Sequence, residues 1–230
     1  MGLKESGLRG SLRNVSVGIA AIPDTVVNRA LFDEGFGTTF NDSVGDANGE
    51  LFNGGTWTTD SRFEGDTAPV FDGSSEDAIW SPRADAPITW TLRVKHGEGL
   101  QSGANTIFGY SNQPQLSFNT TVDEHRFLTQ NADEVLAVTE STSTVEGSYR
   151  IYGCRLDESE VSLRVYDDSD LSLIGTDTAS NPTVGFDTAD CRIANDEDGG
   201  DNHWSESVDL FDVHNEFVED IDDLILEVYG

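Results

Sequence analysis

The stretch that decides the fold runs from residue 29 to residue 80 and reads RALFDEGFGTTFNDSVGDANGELFNGGTWTTDSRFEGDTAPVFDGSSEDAIW. Short apolar segments alternate in it with turns rich in Gly, Asn and Asp, a pattern typical of antiparallel strands. An apolar strand at Ala30-Leu31-Phe32 opens the stretch. Its motifs then follow in the order Asp33-Glu34-Gly35-Phe36-Gly37, Asn41-Asp42-Ser43-Val44-Gly45, Asn48-Gly49, Trp57 and Phe71-Asp72-Gly73-Ser74.

The order and spacing of these motifs resembles the opening of laminin G-like, concanavalin A-like jelly-roll domains. Such domains commonly begin with an apolar strand, a DEG segment, an ND segment that ends in Gly, an NG pair, a Trp and an FDG turn. The resemblance extends over about residues 26–230 and is strongest at both ends. It implies an all-β fold, a two-sheet antiparallel jelly-roll sandwich with a short C-terminal helix. A generic β-rich chain with frequent Gly turns is the alternative.

The middle of the chain carries the alternation expected of strands that are buried on one face. In residues 88–95, Ile88, Trp90, Leu92 and Val94 are predicted to face the core, because successive side chains of a strand point to opposite faces. Val161, Leu163 and Val165 share one face in the same way, before a turn at 167–170. Further strands are predicted at 106–110, 115–119, 134–138, 148–156 and 189–194.

The C-terminal residues resemble the last strand and the closing helix of the family. The strand is predicted at 208–215 and the helix at 220–229. Apolar residues at Ile221, Leu224, Ile225 and Val228 follow the spacing of one helical face, and Asp220 is a candidate cap. We therefore predict two units, an N-terminal arm at 1–28 and one jelly-roll domain at 29–230.

Charge is the strongest compositional signal. The 230 residues include 13 basic and 43 acidic side chains, a formal net charge of −30, and only two of the basic residues are lysines. Charge of this size is screened in molar salt, where the Debye length is about 3 Å, so the surface is typical of an extreme halophile. The same charge argues against a nucleic-acid partner, which would need a basic face.

The N-terminal arm has the opposite charge. Through Pro23 it carries Lys4, Arg9 and Arg13 against the single acid Glu5, a net charge of +2. Residues 1–14 also resemble the starts of small structural proteins of haloarchaeal tailed viruses. We interpret the arm as a docking segment for other virion proteins or for symmetry mates, which predicts a closed homo-oligomer, a trimer or a pentamer. A frayed tail is the alternative.

Location is predicted from what the sequence lacks. It has no apolar run long enough to span a membrane and no usable secretion signal. Lectin-like jelly rolls usually act outside the cell, and a virion protein, which assembles in the host cytoplasm and is released, resolves that conflict. An expression product that lacks its signal is the other resolution.

Cys154 and Cys191 are not spaced as a CxxC pair, so zinc and thioredoxin-like readings have no support. A disulfide between them would close a loop and stabilise the chain by roughly 3–4 kcal/mol in the chain-entropy model. Two small buried hydrophobic residues are the alternative. The sequence leaves both readings open.

Catalytic patterns are missing from the sequence. Glycoside hydrolases with a concanavalin A-like sandwich place carboxylates at alternate positions of one strand, and neither Glu206–Asp209 nor Glu219–Asp223 has that spacing. The four histidines are scattered, without a zinc or hydrolase pattern. We therefore expect no enzymatic activity and assign no catalytic residue.

One acidic loop is the candidate site. Asp196, Asp198 and Asp201 offer oxygen ligands for calcium, although the spacing is not that of an EF-hand and a solvated acidic loop is the alternative. Trp204 would stack on a sugar ring if it were exposed, and core packing is its alternative role.

These observations predict a non-enzymatic virion surface protein, such as a head turret, a decoration protein or a tail fibre. Its jelly-roll domain would be displayed for attachment to a glycan or glycoprotein of the host surface. The alternative is a secreted or cell-surface lectin-like adhesin domain of a haloarchaeon.

Overall fold

Two antiparallel sheets form a sandwich in the computed structural model, which describes residues 23–61, 67–83, 86–98, 100–110, 114–129, 135–180, 190–195 and 204–230. The strands are β1 (Val26–Ala30), β2 (Thr39–Phe40), β3 (Gly49–Phe52), β4 (Thr56–Thr58), β5 (Ala68–Asp72), β6 (Asp77–Trp80), β7 (Ile88–Lys95), β8 (Ala104–Tyr110), β9 (Gln115–Asn119), β10 (Glu124–Leu128), β11 (Val135–Thr139), β12 (Tyr149–Leu156), β13 (Glu160–Asp167), β14 (Leu173–Ser180), β15 (Cys191–Ile193) and β16 (Ser205–His214). Two helices complete the described part of the chain, α1 (Thr142–Val145) and α2 (Ile221–Tyr229).

Sheet 1 has the strand order β14-β13-β12-β7-β16-β5-β4, and β1 also pairs with β16. Sheet 2 has the order β11-β10-β9-β8-β15-β6-β3-β2. Consecutive strands of the chain therefore often lie in different sheets, as in a jelly roll. The predicted two-sheet antiparallel sandwich with a short C-terminal helix is confirmed.

The core lies between the two sheets and follows the predicted alternation. Ile88, Trp90, Leu92 and Val94 of β7 are all fully buried in it. Opposite them, aromatic rings of sheet 2 pack edge-on or tilted, and the Trp90 ring centroid lies 5.8–6.0 Å from those of Phe108, Tyr110 and Phe127. The side chains Val161, Leu163 and Val165 of β13 also belong to this core, as expected.

A second, smaller core lies on the outer face of sheet 1, where α2 packs. Ile221, Leu224, Ile225 and Val228 are buried there, which confirms the predicted helical face. Gly153 of β12 makes room for the helix, since a β-carbon on it would lie 2.4 Å from Cδ1 of Ile221. The helix therefore covers sheet 1 at a point where the strand carries no side chain.

Both cysteines are free and buried. Cys154 lies in β12 of sheet 1, and Cys191 lies in β15 of sheet 2. Burial in apolar surroundings raises the pKa of both thiols well above their ordinary value, so they remain protonated. The sequence left open either a disulfide or two small buried residues. The structure shows two small buried residues.

Several boundaries differ from those predicted. The first strand is Val26–Ala30 rather than Ala30–Phe32, because Phe32 adopts a left-handed backbone with φ of 56° and turns its ring into the core. The sheet thus begins three residues before the predicted boundary between arm and domain. Asp220 stands directly before α2, but its side chain makes no capping hydrogen bond. Helix α1 is a single turn that the sequence did not predict.

Asp42 holds the opening motifs together. Its buried carboxylate accepts hydrogen bonds from the backbone N–H groups of Arg29 (2.9 Å), Val44 (3.1 Å), Gly45 (2.7 Å) and Ala47 (3.3 Å). The side-chain amide of Asn28 donates a fifth, at 2.6 Å. A buried carboxylate is tolerated only when such bonds replace water, so the Asn41–Gly45 motif is a cage around this group.

Arg29 and Asp212 form the second buried link of this region. The guanidinium donates from Nε to Oδ1 at 2.6 Å and from Nη2 to Oδ2 at 2.5 Å, and both side chains are 0% exposed. This bidentate pair joins β1 to β16 on the outer face of sheet 1. Removing one partner of a buried pair typically costs about 3–5 kcal/mol, because the other charge is left uncompensated.

We predict that Gly49→Ala destabilises the protein by about 2–3 kcal/mol, because a β-carbon at Gly49 would overlap the ring of Phe40. That atom would lie 2.0 Å from Cζ of Phe40, whose ring is buried against Phe32 and Trp80 and has no room to move. Chemical denaturation in molar KCl measures the change.

Gly55→Ala is the matched control. The nearest neighbour of its added methyl group would be Cβ of Leu51 at 3.6 Å, an ordinary contact. Its effect is expected to stay within about 0.5 kcal/mol. Equal stabilities of the two variants would contradict the packing assigned to the Asn48-Gly49 motif.

Candidate functional site

A cleft of about 410 Å³ opens where β5 and β7 end and β16 begins. We call it the Lys95 cleft. It lies at one end of the sandwich, where inner strands of sheet 1 begin or end, and its size falls within the ordinary range for small-ligand sites. Its lining is Val70, Phe71, Asp72, Lys95, Gly97, Glu98, Gly147 and Glu206.

The Phe71–Ser74 motif shapes one wall of the cleft. Phe71 is buried, and Asp72 next to it is exposed at the rim. Oδ1 of Asp72 accepts hydrogen bonds from the backbone N–H (2.8 Å) and the hydroxyl (2.6 Å) of Ser74, while Gly73 takes a left-handed φ of 74°. The motif is thus a tight turn that fixes the Asp72 carboxylate at the rim of the cleft.

Lys95 supplies the cation of the cleft. Its ammonium lies 2.8 Å from Oδ2 of Asp60 and 3.7 Å from Oε2 of Glu206. The hydrogen bond to Asp60 raises the pKa of Lys95, and the same bond lowers the pKa of Asp60. Both shifts have the sense expected of a pair that is ionised at neutral pH.

Glu206 lies opposite Phe71 in the ladder between β16 and β5. Its φ is 97°, a value that non-glycine residues rarely adopt and that costs free energy. The backbone there is followed by an irregularity in the pairing of β16 with β7, between Val208 and Leu210. With this strained backbone, the carboxylate of Glu206 points toward Lys95 and lines the cleft.

The third carboxylate of the cleft belongs to Glu98, which lies three residues after the end of β7. His96 ties this segment to the turn before β12, because its N–H donates to Ser148 O at 2.9 Å and its carbonyl accepts from Gly147 N at 2.8 Å. Gly147 has a left-handed φ of 72°, and a β-carbon on it would lie 3.8 Å from Cγ of Glu98. The cleft therefore combines three carboxylates with one ammonium group.

A chain of buried polar side chains begins beneath the cleft at His96. The Tyr152 hydroxyl lies 2.8 Å from Nε2 of His96 and 2.8 Å from Nδ1 of His125. Nε2 of His125 lies 2.9 Å from Oε2 of Glu140. Arg150 closes the chain, since its guanidinium donates to both oxygens of Glu140, at 3.0 and 2.5 Å.

The chemistry of these groups fixes the direction of the hydrogen bonds. An ionised Glu140 only accepts, so His125 donates from Nε2 and accepts at Nδ1 from the Tyr152 hydroxyl. The Tyr152 oxygen then accepts from Nε2 of His96, which leaves Nδ1 of His96 as an acceptor. Nδ1 of His96 has no partner among the described residues. Each hydrogen bond from Glu140 to His96 therefore has a defined direction, and the network ends at Nδ1 of His96.

Burial holds these histidines neutral. It lowers the pKa of His96 well below the ordinary value, and the nearby positive charge of Arg150 adds to the effect. Burial also lowers the pKa of His125, although Glu140 opposes it. Burial alone would raise the pKa of Glu140, but the hydrogen bonds from His125 and Arg150 outweigh it and the value falls to about 2.

Trp204 lies in the core rather than at the surface. It is fully buried, its ring packs edge-on against His96 with centroids 4.4 Å apart, and its backbone N–H donates to Ala194 O at 2.9 Å. Its indole N–H has no partner among the described residues. This is the core-packing role, and the exposure that stacking on a sugar would need is not present.

The predicted calcium ligands Asp196, Asp198 and Asp201 lie outside the described residues. Within the described residues no three His, Cys, Asp or Glu side chains come together as a metal site. None of the described helices is long and apolar enough to cross a membrane. The calcium site thus stays a prediction.

Comparison with known proteins shows the fold. No protein-family model and no curated protein matches the chain. Among solved structures, it is similar to Domain 4 of AbnA, a GH43 extracellular arabinanase from Geobacillus stearothermophilus, in complex with arabinotriose. The TM-score is 0.63 and the identity is 11%, over 90% of this chain and 98% of that domain.

Trypanosoma rangeli sialidase in complex with sialic acid is a second structural neighbour. The TM-score is 0.64 and the identity is 16%, over 92% of this chain and 34% of the sialidase. Another structure of Trypanosoma rangeli sialidase gives a TM-score of 0.61 with the same coverage of both chains. This chain thus spans about a third of the sialidases, and the matched portion is a β-sandwich.

The sequence missed most of the cleft. Phe71 and Asp72 were in a motif that it singled out, but Lys95, Glu98 and Glu206 were not connected with it. Glu206 is more than 100 positions from Lys95 and Glu98, and it meets them only because β7 and β16 are neighbours in sheet 1. One signal was available, since Lys95 is one of only two lysines in a chain of charge −30.

We predict that the free energy of unfolding falls as the pH is lowered from 7 to 5. His96, His125 and His214 are neutral in the folded chain, but the unfolded chain takes up protons on them below a pH of about 6.5. Burial, together with the charge of Arg29, lowers the pKa of His214 to about 3. His214 alone then accounts for a loss of about 2 kcal/mol between pH 7 and pH 5.

His214→Asn is the matched variant, because Asn does not titrate and its side-chain amide replaces Nδ1 of His214, which lies 2.8 Å from the hydroxyl of Thr25. Denaturation curves at constant salt should show a shallower pH dependence for it than for the parent chain. A parent stability that is the same at both pH values would contradict the neutral, buried state of the histidines.

Proposed function

We propose that this chain is a non-enzymatic glycan-binding domain and that the Lys95 cleft is its binding site. The observation that carries the proposal is the composition of the cleft, in which three carboxylates and one ammonium group surround a space of about 410 Å³ at one end of the sandwich. The proposal includes the concanavalin A-like character that the sequence motifs imply.

These groups suit the hydroxyls of a sugar. Each hydroxyl can donate to a carboxylate oxygen of Asp72, Glu98 or Glu206 and accept from the ammonium of Lys95. Hydrogen bonds to charged groups are stronger than those between neutral groups, by roughly a factor of two. The tight turn at Gly73 holds the carboxylate of Asp72 in place before a ligand arrives.

The structural neighbours support this choice. A domain that is similar to this chain over almost its whole length is described in complex with arabinotriose. A second neighbour is a sialidase in complex with sialic acid, of which the chain resembles a third. Fold similarity alone is an analogy, so the cleft chemistry carries the argument and the neighbours add to it.

The absence of catalysis is part of the proposal. A glycosidase of this architecture needs two carboxylates on one strand face, close enough to act on one bond. None of the described strands carries carboxylates at alternate positions. The carboxylates of the cleft come from three different segments, and Glu206 faces an ammonium group rather than a second carboxylate.

The proposed setting is the surface of a virion, as a head turret, decoration protein or tail fibre that attaches to glycans or glycoproteins of a host. The charge of −30 and the basic arm, which resembles the starts of haloarchaeal virus structural proteins, support it. A secreted or cell-surface adhesin is the second setting, with the same binding activity. Antibody against the chain would label purified particles in the first case and cell envelopes in the second.

We predict that Glu206→Gln and Lys95→Met each weaken glycan binding at least tenfold, because each removes one charged partner of a sugar hydroxyl. Titration calorimetry in molar KCl with arabinotriose and with neutral hexose oligosaccharides measures the affinity. The same mixtures should release no reducing ends over hours, as expected for a domain that binds without hydrolysis.

Two neutralised carboxylates away from the cleft serve as controls. Glu50→Gln lies on sheet 2 and Asp223→Asn on the exposed face of α2. Both should bind like the parent chain. Equal affinity in cleft and control variants would move the site elsewhere, and binding to no glycan at all would contradict the proposed function.

A further inference from the structure

A second cavity, of about 420 Å³, lies between the start of the first strand and helix α2. We call it the α2 groove. Pro23, Val218 and Leu224 give it an apolar floor, and Pro23 and Leu224 are buried. It is at the opposite end of sheet 1 from the Lys95 cleft, since the carbonyl of Val218 is bonded to Arg155 near the end of β12, whereas Gly147 lies before its start.

Four carboxylates rim the groove, those of Asp24, Asp220, Asp223 and Glu227. All four residues are exposed, and none of them forms an ion pair with another described residue. Asp222 on the same helix differs, because it lies 2.5 Å from the guanidinium of Arg164. The last turn of α2 contains Glu227 and no basic residue, so its negative end is uncompensated. The groove therefore calls for a cationic occupant with some apolar surface.

This chain has a segment of that chemistry next to the groove. Residues 1–22, which lie outside the described residues, carry Lys4, Arg9 and Arg13 against one acid and otherwise consist largely of apolar and small residues. Within the described residues, most basic side chains are already engaged in ion pairs. The N-terminal segment is therefore the natural cationic partner that the chain itself can offer.

The geometry at Pro23 favours the groove of a neighbouring copy over the groove of the same chain. Pro23 is itself part of the wall. A residue before proline is restricted to extended conformations, so the sequence predicts an extended chain before Pro23 and disfavours a tight reversal there. An extended segment of this length spans up to about 70 Å, more than the diameter of a domain of roughly 200 residues, which is about 45 Å.

We propose that residues 1–22 of one copy bind in the α2 groove of a neighbouring copy and so link the copies into a closed homo-oligomer. The basic side chains pair with the carboxylates of the rim, and the aliphatic parts of the segment lie on the apolar floor. Molar salt weakens these exposed pairs by screening, whereas it does not screen the contacts of the aliphatic parts with the apolar floor, which maintain the link. The inference is independent of glycan binding.

The test is a cysteine cross-link in the full-length chain. The double variant Arg9→Cys/Glu227→Cys is treated with a short bifunctional maleimide in molar KCl, and the products are separated by mass. Cys154 and Cys191 are buried and do not compete for the reagent. The control is Arg9→Cys/Glu146→Cys, because Glu146 is exposed and lies at the other end of β12.

The expected result is covalent dimers and higher species that end at the copy number, at least tenfold more abundant than in the control. A product of monomer mass that contains one cross-link would show that the groove holds the segment of its own chain, and it would overturn the proposal. Cross-linking no greater than in the control would overturn it as well.

A second measurement uses charge. Asp223→Asn/Glu227→Gln removes two carboxylates from the rim, and Glu50→Gln/Glu146→Gln makes the same charge change elsewhere. Circular dichroism confirms that each variant is folded, and light scattering gives the mass against concentration. The groove variant should dissociate at a concentration at least tenfold higher than the control. Equal dissociation of the two variants would contradict the role of the groove.

Discussion

The buried carboxylate of Asp42 is the constraint on which the opening half of the sandwich depends. It collects five hydrogen bonds, from its own loop and from β1. Asn28, one of its donors, also accepts from the backbone of Arg83, and Arg29, whose N–H is another, forms the buried pair with Asp212 of β16. One charged group thus fixes the relation of β1, the loop at 41–47 and the centre of sheet 1, because leaving any of these charges without partners would be costly.

Elsewhere in the described part of the protein, basic side chains are also paired with carboxylates. Seven arginines of the described residues are in ion pairs, and four of them, Arg29, Arg93, Arg150 and Arg155, are buried. The few basic side chains thus form ion pairs that hold the sandwich together, and most of the excess acidic side chains lie at the surface. Three histidines inside the protein are kept neutral by burial, so acid weakens the fold from within.

Two sites differ from this pattern of basic side chains paired within the fold. They lie at opposite ends of sheet 1. In the Lys95 cleft, an ammonium group is shared between Asp60 and Glu206 and faces open space. In the α2 groove, carboxylates gather without a described cation. The first suits a ligand with many hydroxyls, and the second suits a basic segment. Their separation along β12 allows one copy to bind a glycan at one end while it is held by a neighbour at the other.

The sequence by itself determined the class of the fold, the core face of β7, the helical face of α2 and the acidic surface. These follow from local spacing, because the period of a strand or a helix places each apolar residue on a known face. Only the tertiary structure decided that the first strand starts at Val26, that both cysteines stay free, that Trp204 is buried against His96, and that Lys95, Glu98 and Glu206 share one cleft. Those outcomes depend on which strands become neighbours, and strand order is set by contacts between residues far apart in the chain, which no local period encodes.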